Sequence, residues 1–355
     1  MLHLQTTLPI KGRGTPDNPA NRFHPIDYIP DEGLPEEDRP SPKTRFFVDT
    51  SKSIISTNDS PDLSFRYSAN PYRGCEHGCI YCYARPTHEY YGLSCGLDFE
   101  TQIMVKTDAP KLLRKEMMKP GWKPDTIMLS GNTDCYQPIE RKMQLTRQCL
   151  QVLAEFRHPT GIITKSRLIT RDIDILSKLA SHQAVSTCLS MTTLDDDLAA
   201  KLEPRATRPA GRLAAIRALS QAGIRVGIMN APIIPGLNDH EMPEVLAACR
   251  DAGAQFAGFI VVRLPYAIKE LFANWLQHHF PQRMDKVLGR IRDLRSGKLN
   301  DPNFSTRMRG QGVWAALFQQ QFCIHKKRLG YPDQLPRISR EAFRRPVDYQ
   351  GELFV

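Results

Sequence analysis

The stretch that decides the fold is SANPYRGCEHGCIYCYARPTHEYYGL, residues 68–93. It holds Cys75, Cys79 and Cys82 in the spacing C-x3-C-x2-C. Gly74 and Gly78 stand beside them, and glycine readily adopts the tight turns that bring three sulfurs toward one point. The stretch therefore predicts a metal site in a loop rather than three unrelated core cysteines.

Two kinds of metal site fit three closely spaced thiols. Thiolates are the usual ligands of iron–sulfur clusters, and three of them on a four-iron cubane leave one iron open. An open position is what a catalytic metal needs to bind a substrate or cofactor directly. A structural zinc site is the alternative, with His77 or Cys95 as the fourth ligand. Zinc modules, however, usually carry two spaced ligand pairs, and no second pair follows downstream.

Composition narrows the class of protein. The 355 residues are 41% hydrophobic and 24% charged, which is typical of a globular chain with one large α/β barrel or two ordinary domains. The nine cysteines favour a cytoplasmic protein with reduced thiols and a metal site over a disulfide framework. We expect neither a membrane span nor a secretory signal, because no long apolar run and no leader pattern occurs.

The chain is basic, with a formal net charge of +10. Such a charge favours anionic partners, among them nucleic acid and nucleotides. Three basic runs near the end of the chain form a candidate anion-binding face: RMRGQG (307–312), HKKR (325–328) and RISREAFRR (337–345). The alternative for these runs is an ordinary solvated surface.

Short β-type runs alternate with helical stretches between Phe65 and Leu264. The predicted strands are FRYS (65–68), TIMLS (126–130), GIITK (161–165), AVSTCLSM (184–191), IRVGIMN (224–230) and FAGFIVVR (256–263). Alternation of this kind predicts a parallel sheet with right-handed crossovers. The sheet is either open and doubly wound or a partial barrel, and both place chemistry at the carboxyl ends of the strands.

The cysteine loop follows the first of these strands, so it belongs to that edge. Residues 1–64 are predicted to form an irregular amino-terminal extension, because they are rich in Pro, Asp, Asn and Ser without periodicity. Residues 265–355 are predicted to form a helical carboxyl-terminal extension. The central domain then spans residues 65–264.

The sequence resembles the radical S-adenosylmethionine (radical SAM) superfamily, whose signature is C-x3-C-x-φ-C with an aromatic residue at φ. Tyr81 stands at that position. Further phrases extend the resemblance over nearly the whole chain to a bacterial group related to spore photoproduct lyase: KGRGTPDNPANRF (11–23), TDCYQPIERK (133–142), TTLDDDLAAKLEPRA (192–206) and GKLNDPNF (297–304). The resemblance implies a partial (β/α)6 barrel, which has the same number of strands as the six predicted above.

The resemblance also implies cofactors and an activity. Cys75, Cys79 and Cys82 would hold a [4Fe-4S] cluster whose open iron binds S-adenosyl-L-methionine. Reductive cleavage of that cofactor gives a 5′-deoxyadenosyl radical, which abstracts hydrogen from a substrate. An electron donor such as flavodoxin or ferredoxin is then a partner. The sequence does not identify the substrate, although nucleic acid or a nucleotide is a candidate. The alternative is a non-enzymatic iron–sulfur or zinc-binding protein with a basic nucleic-acid-binding surface.

The resemblance assigns cofactor contacts to the other strand ends. The candidates are Tyr81, Gly131, Asn132, Thr133, Asp134, Lys165, Ser190, Arg205 and Asn230. Tyr81 and Asn230 would lie near the adenine, and Ser190 near the ribose or the carboxylate. Lys165 and Arg205 would meet the cofactor carboxylate, with a surface ion pair between Glu203 and Arg205 as the alternative. The loop 131–134 would bind the methionine amino group, although the usual Gly-Gly-Glu form is absent.

Cys135 is the candidate catalytic residue outside the cysteine loop. Spore photoproduct lyase uses a cysteine in this region as a hydrogen-atom donor, although Cys135 falls a few positions later than a clean match. The alternative is a packing cysteine. The sixth strand ends in Arg263, which would face either cofactor or substrate.

Overall fold

The structure is a computed structural model that describes residues 9–24, 42–334 and 337–346. Its strands are β1 (Arg45–Val48), β2 (Ile55–Thr57), β3 (Tyr67–Ala69), β4 (Tyr72–Arg73), β5 (Gln102–Val105), β6 (Ile127–Leu129), β7 (Thr160–Thr164), β8 (Val185–Ser190), β9 (Val226–Ile233) and β10 (Ala257–Val261). Its α-helices are α1 (Asp98–Thr101), α2 (Ala109–Met118), α3 (Glu140–Met143), α4 (Leu145–Glu155), α5 (Ile173–Ala180), α6 (Asp196–Leu202), α7 (Pro209–Gln221), α8 (Met242–Asp251), α9 (Ile268–His279), α10 (Met284–Asp293) and α11 (Gly312–Arg328).

The main sheet has seven strands in the order β10-β9-β8-β7-β6-β3-β2. From β3 to β10 every neighbouring pair is parallel. These six strands are the ones that the sequence predicts, and helices join them in turn. The sheet does not pair β10 with β3, so the strands form an open, partial barrel. The α/β prediction is confirmed in its partial-barrel form.

Helix boundaries follow local sequence signals. Helix α2 begins after Asp108 and has Pro110 in its first turn, where the missing amide hydrogen costs no helical bond. Helices α7 and α8 stop just before Gly223 and Gly253, whose φ angles are +71° and +105°. An L residue with a side chain rarely adopts these angles, so both predicted helix ends are explained.

Part of the amino-terminal extension is more regular than the sequence predicts. Strand β2 adds to the main sheet by antiparallel pairing with β3. A second sheet has the order β1-β5-β4, and β1 also lies inside the extension. All four residues of β1 are exposed, so no alternation of buried and exposed positions marks it in the sequence. Backbone pairing with β5, distant in the chain, creates this strand.

The carboxyl-terminal helices cover one side of the barrel. Helix α11 packs against α8, and the rings of Phe259 on β10 and Phe322 on α11 lie 4.7 Å apart. Phe318 on α11 is also buried. These residues belong to the same hydrophobic core as the barrel strands. No helix in the described part of the chain is long and apolar enough to cross a membrane.

Candidate active site

The cysteine loop leaves β3 at the carboxyl edge of the sheet. Cys75 and Cys79 are buried and Cys82 is partly exposed. Gly74 and Gly78 have φ angles of +77° and +69°, as the predicted tight turns require. A Cβ atom on Gly78 would lie 2.7 Å from a carboxylate oxygen of Glu100, so the loop has no room for a side chain there.

A buried arginine, which the sequence reasoning did not single out, holds the inner face of the loop. Arg85 donates to the carbonyl oxygens of Gly78 (3.3 Å) and Cys79 (3.0 Å) and to Glu100 Oε1 (2.5 Å). Both Arg85 and Glu100 are fully buried. Because a charged donor binds these two carbonyls, the backbone at Gly78 and Cys79 is held in place. A basic residue three positions after Cys82 is the only sequence signal for this role.

The loop is also tied to the segment that follows β6. Gln137 Nε2 donates to the carbonyl of Gly74 (3.0 Å), and its Oε1 accepts from the amide of Glu76 (3.0 Å). Glu76 in turn accepts from the amide of Ile139 (2.7 Å). Residues of the segment TDCYQPIERK thus hold the cysteine loop in place through these hydrogen bonds.

The three loop thiols form one electrostatic group. Burial raises the pKa of Cys75, Cys79 and Cys82, and each carries a contribution from a neighbouring charge or from another thiol of the loop. In the described residues, no group of three or more His, Cys, Asp or Glu side chains is placed to hold a single metal ion. A zinc ion needs such a group around one point, whereas a four-iron cluster takes each thiolate on a different iron. Three thiolates are the donor set that a four-iron cluster with one open iron takes.

His77, the proposed fourth zinc ligand, faces a carboxylate instead. Its Nδ1 lies 3.4 Å from Asp134 Oδ2. Asp134 also accepts from the hydroxyl of Thr164 (2.7 Å) and the amide of Lys165 (2.8 Å). Burial acts to raise the pKa of Asp134, but His77 and these hydrogen bonds lower it to about 2. Asp134 is therefore an ionised link between the cysteine loop and the end of β7.

A second buried carboxylate, that of Glu203, contacts residues at the ends of the strands. Glu203 accepts from the hydroxyls of Tyr81 and Thr192 (2.5 Å for Thr192) and is paired with Arg212. Burial acts to raise the pKa of Glu203, while Arg212 and Lys165 lower it to about 2. The hydrogen bond to Glu203 fixes the ring of Tyr81 under the cysteine loop. Sequence reasoning named Glu203 only in a surface ion pair, and Arg212 not at all.

Lys165 reaches the same cluster from β7. Its Nζ donates to Ser190 Oγ (2.7 Å) and lies 3.9 Å from Glu203 Oε1 and 5.8 Å from the centre of the Tyr81 ring. Tyr81, Lys165, Ser190, Glu203 and Arg212 are called the site cluster below. Three of its members, Tyr81, Lys165 and Ser190, are predicted cofactor contacts, and the structure brings them together.

Asn230 on β9 adds an unsatisfied acceptor beside this cluster. Its Nδ2 donates to the carbonyl of Met191 (2.9 Å). Its Oδ1 is buried and has no hydrogen-bond partner in the described residues. A buried acceptor without a partner costs free energy unless a ligand donates to it. The exocyclic amino group of an adenine is a donor of this kind, so Asn230 fits its predicted place.

The loop after β6 divides into supporting and exposed positions. Thr133 donates to the carbonyl of Tyr72 (2.8 Å) and is buried, and its own carbonyl accepts from Asn70. Gly131 packs on Ser68, where a Cβ atom would lie 2.8 Å from that side chain's Cβ, while Asn132 is exposed. Among the predicted positions 131–134, Asp134 contacts both the cysteine loop and the end of β7, and the carbonyl of Gly131 accepts from the hydroxyl of Tyr83, the residue after Cys82 (3.1 Å). Which of them meets the methionine amino group stays a prediction.

Comparison with known proteins identifies the family. The sequence model of the radical SAM superfamily matches residues 69–249, about half of the chain. The chain belongs to the radical SAM superfamily. Membership implies a [4Fe-4S] cluster and S-adenosylmethionine as cofactors, and the predicted family is confirmed.

Several relatives are similar to this radical SAM protein in sequence. An uncharacterized protein of Mycobacterium tuberculosis is 35% identical over 250 residues, which cover 70% of this chain and 72% of the relative. An uncharacterized protein of Methanocaldococcus jannaschii is 31% identical and covers 50% of this chain and 63% of its own length. The radical SAM Nalpha-GlyT isomerase of Pseudomonas phage M6 is 24% identical over 62% of this chain and 43% of its own.

Solved structures share the fold. Spore photoproduct lyase complexed with dinucleoside spore photoproduct superposes with a TM-score of 0.58 at 16% identity, over 80% of this chain and 79% of the lyase. A variant of that lyase with bound AdoMet and dinucleoside spore photoproduct gives a TM-score of 0.56 at 17% identity and the same coverage. At such identities the likeness concerns the fold.

Arg205 and Cys135 are two further predicted residues of this radical SAM protein that lie outside the site cluster. Arg205 donates to Glu76 (3.0 Å) and Thr44 (3.3 Å), so it braces the cysteine loop, and its cofactor role stays a prediction. The alternative, an ion pair of Arg205 with Glu203 at the surface, is wrong, because Glu203 is buried and pairs with Arg212.

Cys135 is fully buried. Its amide donates to Ser130 (2.8 Å) and its carbonyl accepts from Thr146 (2.6 Å), at the start of α4. Burial raises the pKa of its thiol well above the ordinary value. These surroundings favour the packing alternative, and a catalytic role for Cys135 stays an untested prediction.

Several arginines of the predicted basic face bind other groups of the same chain. Arg307 pairs with Asp62 (2.6 Å) and Arg340 pairs with Asp125. Arg345 donates to backbone carbonyls at the end of α2, among them that of Lys119 (3.0 Å). These arginines fasten the carboxyl-terminal segment to the barrel, which reduces the charge that the face can offer a ligand.

Proposed function

We propose that this protein is a radical SAM enzyme in which Cys75, Cys79 and Cys82 bind the [4Fe-4S] cluster, and that its substrate is a nucleic acid or a nucleotide. One observation carries the first part. The three-cysteine loop and the polar ends of the next strands converge at one edge of the sheet. A protein that only stored a metal would not need a tyrosine, a lysine and an unsatisfied asparagine beside it.

In this proposal, different residues contact different parts of S-adenosylmethionine. Lys165 supplies a positive charge for the carboxylate of S-adenosylmethionine. Asn230 Oδ1 supplies an acceptor for the adenine amino group, and Tyr81, fixed by Glu203, supplies a ring near it. When bound, the cluster and S-adenosylmethionine supply a 5′-deoxyadenosyl radical for hydrogen abstraction. The protein's part is to orient the cofactor and the substrate and to exclude water.

Two observations support the substrate class. Spore photoproduct lyase, which shares the fold, is complexed with a dinucleoside spore photoproduct. The net charge of +10 also favours an anionic partner. An electron donor such as flavodoxin or ferredoxin and a cytoplasmic location remain predictions from the family and the cysteine usage.

Anaerobic reconstitution tests the proposal. We expect about four irons per chain, and formation of 5′-deoxyadenosine when S-adenosylmethionine and dithionite are added. Stoichiometric zinc without cleavage of the cofactor would instead support the non-enzymatic alternative.

A further inference from the structure

A continuous strip of exposed aromatic rings and arginine lies at the carboxyl edge of the barrel. The rings of Phe23 and Tyr90 are stacked, with centres 5.0 Å apart and an angle of 22° between their planes. The guanidinium of Arg22 lies 5.0 Å from the Phe23 ring and 3.5 Å from the Tyr266 ring. Tyr90, Phe23, Arg22 and Tyr266 are called the aromatic strip.

The strip joins the segments that follow β3 and β10. Tyr90 lies in the short helix Arg85–Tyr91 that follows the cysteine loop, and therefore belongs to the side of β3. Tyr266 comes shortly after β10, the last strand of the barrel. Arg22 contacts Tyr266 and pairs with Glu89 in the short helix, so it links these two segments.

The rings of the strip are turned to solvent. Tyr90 is 68% exposed, Tyr266 55% and Phe23 50%. Large aromatic side chains are usually mostly buried, so three of them in one row mark a binding surface more often than a packing defect. Tyr266 also has a φ of +52°, an uncommon backbone conformation for a tyrosine.

The strip is fixed in place before any ligand arrives. Arg22 is paired with the buried Glu89 at 2.7 Å, which holds the guanidinium plane against Tyr266. A second pair lies toward the cysteine loop, where Arg263 is 5.4 Å from the ring of Tyr83, the residue after Cys82. The Tyr83 hydroxyl donates to the carbonyl of Gly131 (3.1 Å), in the loop after β6. Both arginines therefore join the segments that follow β3 and β10.

We infer that the aromatic strip binds single-stranded nucleic acid by stacking its bases on the exposed outer faces of Tyr90 and Tyr266. Phe23 and Arg22 contact these two rings from within the strip, which leaves flat outer faces that match the faces of unpaired bases. A base paired inside a duplex does not offer its face, so the ligand is single-stranded. The inference rests on the proposed function, since it names the form of the nucleic acid presented to the radical site.

Binding of a fluorescein-labelled dT12 oligonucleotide to the reconstituted holoprotein tests the inference. We expect Tyr90→Ala and Tyr266→Asn each to weaken binding about 10-fold, the size found for removal of one stacking ring. Asparagine is chosen because it tolerates a positive φ, so the ring is lost without added backbone strain. Tyr90→Phe keeps a ring and should bind as the wild type does.

Two comparisons make the result decisive. Phe47→Ala removes a similarly exposed ring on β1, outside the strip, and should leave dT12 binding unchanged. Polyglutamate of the same charge should compete poorly. The inference is overturned if Phe47→Ala weakens binding as much as Tyr90→Ala, if polyglutamate or a dT12–dA12 duplex binds as tightly as dT12, or if the strip variants bind dT12 normally.

The outcome is separable from that of the proposed function. Formation of 5′-deoxyadenosine by the wild-type holoprotein without any oligonucleotide tests the radical chemistry alone. Cofactor cleavage without ring-dependent binding of dT12 defeats only the inference. Ring-dependent binding without cofactor cleavage defeats only the proposed function.

Discussion

Two clusters of charged and polar side chains differ in what lies beside them: an acceptor without a partner in the described residues lies beside the site cluster, and none lies within the second cluster. In the site cluster, Lys165 Nζ is 3.9 Å from Glu203, and the neighbouring Asn230 Oδ1 has no partner in the described residues. A buried hydrogen-bond acceptor beside the site cluster is therefore free to bind a donor of a ligand, as a site for a polar ligand requires.

The second cluster, called the support cluster, consists of Tyr72, Tyr136, Glu140, Arg171 and Asp172. Glu140 accepts from Tyr72 (2.5 Å) and Arg171 (2.6 Å), and Asp172 accepts from Tyr136 (3.1 Å) and Arg171 (2.8 Å). None of its buried side-chain nitrogen or oxygen atoms lacks a partner within the described ranges. Cys135 lies beside this closed cluster. The difference supports the proposal that the site cluster contacts the cofactor, whereas the support cluster has hydrogen-bond partners within the chain.

The largest expected effect is at the cysteine loop. Cys79→Ala should reduce both cluster iron and 5′-deoxyadenosine formation to background, because two thiolates do not hold a cubane whose third ligand is missing. Iron analysis and chromatography of the products measure this. Cys249→Ala, which removes a buried core thiol far from the loop in sequence, is the matched control and should keep both. Iron retained by the Cys79 variant would refute the ligand assignment.

In the support cluster, Arg171→Met should lower the free energy of unfolding by about 3 kcal/mol, because Glu140 and Asp172 lose a charged partner while staying buried. Denaturant titration gives this value, and Arg217→Met, at an exposed position on α7, serves as the control. Cofactor cleavage per folded chain should not change. If it falls strongly, the support cluster does more than hold the loop.

In the site cluster, Lys165→Met should raise the apparent dissociation constant of S-adenosylmethionine about 10- to 100-fold, the range for loss of a hydrogen bond to a charged group. Stability should change little, since Glu203 keeps Arg212. Equilibrium binding by the reconstituted protein measures the shift. The exposed Lys178→Met variant should bind normally, and an equal loss in both variants would contradict a specific contact.

The smallest effect is expected at Cys135. Cys135→Ala should cost about 1 kcal/mol of stability through lost packing and leave the reaction products unchanged. Cys149→Ala, at another buried position near the same loop, should cost a similar amount. If the Cys135 variant alone gives an altered product, the Cys135 thiol takes part in the reaction.

Much of the site could be predicted because its signals are local. The spacing of the cysteines, the aromatic residue before Cys82 and the lysine after the third barrel strand are each visible within a few residues. Arg85, Arg212 and the buried position of Glu203 could not be predicted, because single buried charges carry no periodic signal. Their partners lie nearby in space only after the loop and the strands have folded together.

The sequence by itself determined the six strands, their parallel order and the cysteine loop at the carboxyl edge, because strand–helix alternation and ligand spacing are properties of neighbouring residues. Only the tertiary structure decided which polar groups have partners. Burial and hydrogen bonding separate Asn230, whose Oδ1 has no partner among the described residues, from Thr133, whose side chain is engaged. They likewise place Cys135 beside a closed cluster, and they bring Arg22 of the amino-terminal segment onto Tyr266, shortly after β10.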